Sequence, residues 1–282
     1  MLQFTVENEV WEVIKEVKES YKYIGGINFY NKGIEFEGGV RVYWNDERKE
    51  MKTNILLTGV SCNKENLRKV RRLLKGSKVT RVDLAYDIFQ GNLGVIEKFE
   101  NAIREGRVVT RIKKSKIVED LKINGEGNGK TVYIGSRESG FMMRAYDKAK
   151  EQGLDCKWER VEIVLKEGYA KYWLENKERG SNRVFRELLG GKMRVVVKER
   201  TRLKNCKLDE WYEKLLEGIP GVKVKTEKKV KRVDEIKNWL MKCCSRNFYL
   251  VVKNEMDINT GEMGFIYDLL SEGRRRYIEV ES

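Results

Sequence analysis

Val79-Thr80-Arg81-Val82-Asp83-Leu84-Ala85-Tyr86-Asp87-Ile88-Phe89 alternates polar and apolar side chains with a period of two. In an extended strand, side chains i and i+2 share a face. One face therefore carries Arg81, Asp83, Ala85 and Asp87, and the other carries Val82, Leu84, Tyr86 and Ile88. A strand charged on one side and apolar on the other fits a sheet with one buried and one open face, the habit of antiparallel sheets. Two more segments read the same way. In 141–148, Met142, Arg144, Tyr146 and Lys148 share a face opposite Phe141, Met143, Ala145 and Asp147. In 158–165, Trp158, Arg160, Glu162 and Val164 face away from Glu159, Val161, Ile163 and Leu165.

Outward from these strands the chain mixes periods. Residues 9–21 place Val10, Val13, Ile14 and Val17 at helical spacing, and 63–75 read as a basic amphipathic helix. Residues 27–44 read as two or three short antiparallel strands broken by Gly33 and Gly38-Gly39, and 54–59 as a short apolar strand. A basic stretch covers 107–116. Residues 131–148 form a hairpin with its turn at 136–140, and helices are expected at 168–177 and 182–189. Pro220, the single proline, stands in the glycine–proline cluster 217–221, a turn and candidate boundary. Further on come a dense basic run at 223–232 and a helix at 234–244. No internal repeat is apparent. The expected class is α+β: a mostly antiparallel central sheet flanked by helices, with a charged, partly helical C-terminal region. Residues 1–200 form the expected core and 201–282 a basic C-terminal region.

Lysine and arginine number 58 against 44 aspartates and glutamates, a net charge of +14. Such an excess favours polyanionic partners, because each phosphate neutralised releases condensed counterions. No basic helix with a large apolar face points to a membrane surface, and no apolar run nears the ~18 residues of a bilayer span. The N-terminus lacks the basic region and cleavage site of a signal peptide, so the expected location is cytoplasmic. The chain has no histidine. That excludes Ser-His-Asp and Cys-His nucleophiles, His general bases and His-ligated metals. A metal must then be held by carboxylates and carbonyls, which selects Mg²⁺ or Mn²⁺. Cys62, Cys156, Cys206, Cys243 and Cys244 show no Cys-x-x-Cys spacing and read as reduced thiols.

If the three polar stripes neighbour one another, they merge into a site with carboxylates for a divalent cation, a phenol and cationic groups. That inventory suits phosphodiester transfer. A phenol with its ordinary pKa of ~10 needs a nearby cation to become a useful nucleophile. Arg144 and Lys148 flank Tyr146 on its face. The plainer alternative is a solvated strand face with ordinary cross-strand Arg–Glu pairs, with Tyr86 and Tyr133 as core or rim aromatics.

Four stretches in order resemble the replication initiation factor family: 79–89, Thr131-Val132-Tyr133-Ile134-Gly135-Ser136-Arg137-Glu138-Ser139, Arg144-Ala145-Tyr146-Asp147-Lys148, and Trp158-Glu159-Arg160-Val161-Glu162. This group comprises trans-acting Rep initiators of rolling-circle plasmids, with related conjugative nickases and phage replication proteins. The stretch 56–62 resembles the family's strand-and-glycine segment, and the likeness runs from about residue 56 to 197. The resemblance implies a metal-dependent nick at a DNA origin. The motif tyrosine, here Tyr146, becomes linked to the 5′ phosphate and leaves a free 3′ hydroxyl. It further implies acidic metal ligands, matched here by Asp83, Asp87 and Glu162, for Mg²⁺ or Mn²⁺. Arg144 and Lys148 match basic positions beside the tyrosine, and Arg81, Arg137 and Arg160 are the DNA-contact candidates. The expected partner is origin DNA, as a duplex or an extruded single strand. The tail is a candidate for duplex binding, homodimer formation or contact with a host helicase. A non-catalytic DNA-binding regulator with the same fold is the competing reading. An RNA-binding sheet would show paired aromatics where these strands show charge.

Overall fold

The computed structural model describes residues 1–89, 94–124, 127–225, 233–257 and 264–281, which fall into two units, Met1–Thr226 and Glu227–Ser282. The first unit begins with β1 (Leu2–Val6), α1 (Val10–Val17), β2 (Tyr21–Gly25), β3 (Lys32–Phe36), β4 (Arg41–Trp44) and β5 (Thr53–Leu57). Short helices α2 (Lys64–Lys69) and α3 (Arg71–Leu74) lead into the long β6 (Lys78–Phe89). Then come α4 (Val95–Arg104), β7 (Val108–Thr110), β8 (Ser115–Leu121), β9 (Gly127–Ile134), β10 (Phe141–Asp147), the single turn α5 (Lys148–Glu151) and β11 (Trp158–Lys166). Helices α6 (Glu167–Asn176) and α7 (Ser181–Lys192), strand β12 (Met193–Val195) and α8 (Glu210–Leu216) complete the unit.

Ten strands form one sheet in the order β2-β3-β4-β5-β1-β6-β11-β10-β9-β8, while β12 and β7 pair separately. All the ladders are antiparallel. This is the expected α+β class. Apolar side chains from β1, β3–β6 and β9–β11 build one core with α1, α4, α6, α7 and α8, so the helices cover one face of the sheet. The alternation in β6 holds from Arg81 onward, with Val82, Leu84 and Ile88 in the core. Val79 also enters the core, against strict alternation. The ladder to β1 steps from Gln3↔Arg81 to Phe4↔Val79, leaving Thr80 as the extra residue of a bulge, its hydroxyl bonded to the Gln3 carbonyl at 3.1 Å. One unpaired residue re-phases the strand.

The same path is traced twice. β1, α1 and then β2 to β5 lay down five strands, with β5 returning beside β1; β6, α4 and then β8 to β11 do likewise, with β11 beside β6. β1 and β6 lie antiparallel at the centre, so a pseudo-twofold axis relates the halves. The absence of a repeat in the sequence is thus corrected at the level of topology.

Several element boundaries also differ from the sequence expectation. The first helix stops at Val17, where Lys18 turns into the left-handed region at φ 56° and caps it, so that β2 starts at Tyr21. The expected helix over 63–75 breaks at Val70 into α2 and α3. Residues 201–225 belong to the first unit rather than to a tail. Trp211, Tyr212, Leu215 and Leu216 of α8 are core residues, and the Trp211 ring meets Phe99 edge-on at 4.9 Å. Beyond them the chain crosses α7 where Gly190 and Gly191 meet Gly221 backbone to backbone, and the Val222 N–H bonds the Glu187 carbonyl at 2.8 Å. The basic run at 223–232 lies outside the described residues after 225. The second unit holds α9 (Val233–Trp239), a π-helical turn at Leu240–Cys244, α10 (Ser245–Asp257) and α11 (Gly264–Glu281). No described helix is long and apolar enough to cross a membrane.

Candidate active site

Register brings the charged stripes together on the sheet face away from the helices. Tyr146 of β10 stands opposite Arg160 of β11, which stands opposite Asp87 of β6; Arg144 is opposite Glu162, and Glu162 opposite Ala85. Further along, Val164 pairs with Asp83 and Lys166 with Arg81. Cross-strand neighbours lie about 5 Å apart. Tyr146, Arg144, Arg160, Glu162 and Asp87 therefore share one patch. Arg81 is six residues from Asp87 on β6, about 20 Å along the strand. It marks the far end of the same face.

Hydrogen bonds tie each carboxylate to an arginine. Glu162, 5% exposed, accepts from Arg144 Nη2 at 2.6 Å and from the Tyr146 hydroxyl at 3.3 Å. Arg160 grips Asp87 through two bonds of 2.7 and 2.9 Å, and Trp158 Nε1 donates to the same carboxylate at 2.7 Å. Arg81 holds Asp83 through two bonds of 2.8 Å. The Arg144 guanidinium lies 5.2 Å from the Tyr146 ring centre. Its Nε is buried with no acceptor within the protein. Burial, reinforced by the Glu162 charge, pushes the Tyr146 phenol up to about 12, against the pull of Arg144 and Arg160.

Lys148 departs from the expected strand position. Asp147 ends β10 and accepts the Lys150 N–H at 2.9 Å, which caps α5, so Lys148 is the first helical residue. Its ammonium still lies 5.9 Å from the Tyr146 ring and 6.0 Å from Trp158, paired with Glu151. Arg137 stands apart, exposed on the β9–β10 turn beyond the other end of β10. Sequence reasoning gave Trp158 no role, although it buttresses Asp87 and stacks on Phe89 at 5.4 Å. Its i, i+2 spacing to Arg160 was the available signal.

Among the described residues no group of three His, Cys, Asp or Glu side chains is gathered closely enough to hold an ion. Asp83 and Asp87 are four residues apart on β6, about 13 Å. That is too far for both to reach one Mg²⁺ with ligand bonds of ~2.1 Å. Glu162 sits across from Ala85, between them. A Mg²⁺ seat needs only one or two carboxylates, with water and substrate phosphate completing the shell, and Glu162 with either aspartate fits that description.

The replication initiation factor family model matches residues 77–265. The chain belongs to this family. The four motifs pointed there, and the match reaches well past residue 197 into the C-terminal region. A rolling circle replication initiator protein from Geobacillus stearothermophilus has a similar fold, with a TM-score of 0.68 and 22% identity over 80% of this chain and 97% of that one. No curated protein sequence matches. As a replication initiation factor, the chain has DNA origins as its ligand class.

Proposed function

We propose that this replication initiation factor nicks one strand of origin DNA through Tyr146 to start rolling-circle replication. The observation that carries the proposal is the buried Arg144 Nε–H without an acceptor, beside a phenol that already donates to a carboxylate. A buried donor without a partner is costly. A phosphate oxygen would satisfy it once the partly exposed guanidinium turned toward the groove. In the proposed step the Tyr146 oxygen attacks the scissile phosphorus and the bond to the 3′ oxygen breaks. The 5′ phosphate stays on the tyrosine, and the 3′ oxygen leaves with a proton as a hydroxyl. Glu162 Oε2 is the acceptor placed for the phenol proton. Arg144 and Lys148 offset charge on the phosphate. Held by Glu162 with Asp83 or Asp87, a Mg²⁺ or Mn²⁺ ion would supply phosphate polarisation and a lower phenol pKa.

Arg160 and Arg81 are proposed to guide the strand along the groove, with Arg137 meeting DNA beyond it. Residues 1–225 form the proposed nicking core, while the second unit is proposed to bind duplex DNA, a second copy or a host helicase. Cytoplasmic action follows from the same reading. One observation favours the competing regulator: every carboxylate of the site is already tied to an arginine. Incubation with supercoiled DNA carrying its own origin, plus Mg²⁺ or Mn²⁺, decides between them. Nicking yields an open circle and a protein–DNA adduct that Tyr146→Phe abolishes without loss of binding. Adduct formation that survives Tyr146→Phe would overturn the assignment.

A further inference from the structure

The pseudo-twofold axis gives each strand of the nicking half a counterpart in the N-terminal half. β10 corresponds to β4, β11 to β5 and β6 to β1. On β10 the open face carries Arg144 and Tyr146; on β4 it carries Arg41 and Tyr43, the same Arg-x-Tyr on the same side. Val42 between them is a core residue, as is Ala145. Both tyrosines are nearly closed to solvent, Tyr43 at 4% and Tyr146 at 6%. Rows align as well. Arg41 faces Leu56 and then Gln3, where Arg144 faces Glu162 and then Ala85. Tyr43 faces Asn54 and then Thr5, where Tyr146 faces Arg160 and then Asp87. On the flanking strands, Lys22 of β2 matches Lys116 of β8. The acidic positions do not carry over: Leu56 replaces Glu162 and Thr5 replaces Asp87. The N-terminal copy therefore lacks the two carboxylates of the proposed cation seat.

We infer that the open face of the N-terminal half is a second, non-cutting seat for single-stranded DNA, continuous with the nicking groove across one sheet. The inference rests on the nicking reading only for the identity of its ligand. Lys22 and Arg41 share the single carboxylate of Glu35, at 3.1 and 2.8 Å, which leaves net positive charge on the face. Phosphate contact uses that surplus. The loop after β2 folds back toward this face. The Tyr30 hydroxyl donates to the Met51 carbonyl at 3.4 Å. Asn45 Nδ2 pins the Phe29 carbonyl at 2.6 Å. Phe29 itself is 73% exposed. An exposed ring on the same half is a platform on which sequence-tolerant single-strand sites stack a base. From β10 to β4 is five strand steps, about 24 Å.

The test uses the full chain in a Tyr146→Phe background, so that binding is read without cleavage, and a labelled oligothymidylate of about thirty nucleotides. Lys22→Ala with Arg41→Ala is expected to weaken binding about fivefold and to lower the salt slope of log K by about 1.4, at ~0.7 per single-strand contact. Ultraviolet crosslinking of an iododeoxyuridine oligonucleotide to the chain without the Lys22 and Arg41 substitutions is expected to label Phe29. Unchanged affinity and slope in a folded double variant overturns the seat. So do crosslinks confined to residues 78–166, which decide the matter even if the double variant fails to fold. Failure of the nicking reading registers separately, as an adduct that persists in Tyr146→Phe.

Discussion

Burial and the Glu162 carboxylate hold the Tyr146 proton, Arg144 and Arg160 loosen it, and the balance stands at about 12. Near pH 7 such a phenol is ionised on the order of one part in 10⁵, so the proposed attack calls for a cation beside the phenol oxygen. The same shift bears on stability. The folded state holds this proton more tightly than the unfolded chain, so its contribution is complete below pH ~10 and is lost as pH climbs through about 12. Tyr146→Phe should accordingly lose roughly 2 kcal/mol less than the unsubstituted protein across that window, measured by urea midpoints. Arg144 is only partly exposed, and Glu162 depends on it. Arg144→Leu should cost about 2–3 kcal/mol, somewhat below the full penalty for stranding a buried charge. Adding Glu162→Gln should recover part of the loss. A second substitution that deepens the loss would mean that Arg144 acts through packing instead.

At the scale of elements, the bulge at Thr80 keeps the two ends of β6 in phase with the core. Deleting Thr80 should remove the bulge and leave Val79, Val82, Leu84 and Ile88 all on the core face, since Gln3↔Arg81 and Phe4↔Val79 then follow one another in a regular ladder. The loss should be confined to the Thr80–Gln3 hydrogen bond, about 1 kcal/mol, and a variant without a native-like thermal transition would refute this. Gly191→Ala is a different case, because its Cβ would stand 2.0 Å from the Val222 carbonyl oxygen. It should detach the chain after Leu216 from α7 and admit protease there, where the unsubstituted protein resists. The open and buried faces of β6, β10 and β11 were legible because alternation needs nothing but side-chain polarity. Thr80 was not legible, because no glycine flags the bulge. The start of α5 was missed although Asp147 before Lys148-Ala149-Lys150-Glu151 is an ordinary helix cap. Helix α8 is hard to see in the sequence because four charged neighbours hide Trp211, Tyr212, Leu215 and Leu216, whose spacing is that of one buried face.

At the scale of the molecule, a surplus of 14 positive charges should make DNA affinity fall steeply with salt. Titration of origin duplex at several salt concentrations should give a steeper slope for the full chain than for a chain ended after residue 225, if the second unit contacts phosphate as proposed. Equal slopes would remove that role. The pseudo-twofold was invisible in the sequence because two halves can share a path through a sheet while keeping only Arg-x-Tyr in common. A protein with true twofold symmetry, set on a palindrome, meets both strands alike and has no means of preferring one. Here the halves are alike enough to lie along one nucleic acid and unlike in the carboxylates, Asp87 and Glu162 against Thr5 and Leu56. Asymmetry inside a single chain thus works as a compass: it gives the bound DNA a direction, and so lets one polymer end be chosen over the other.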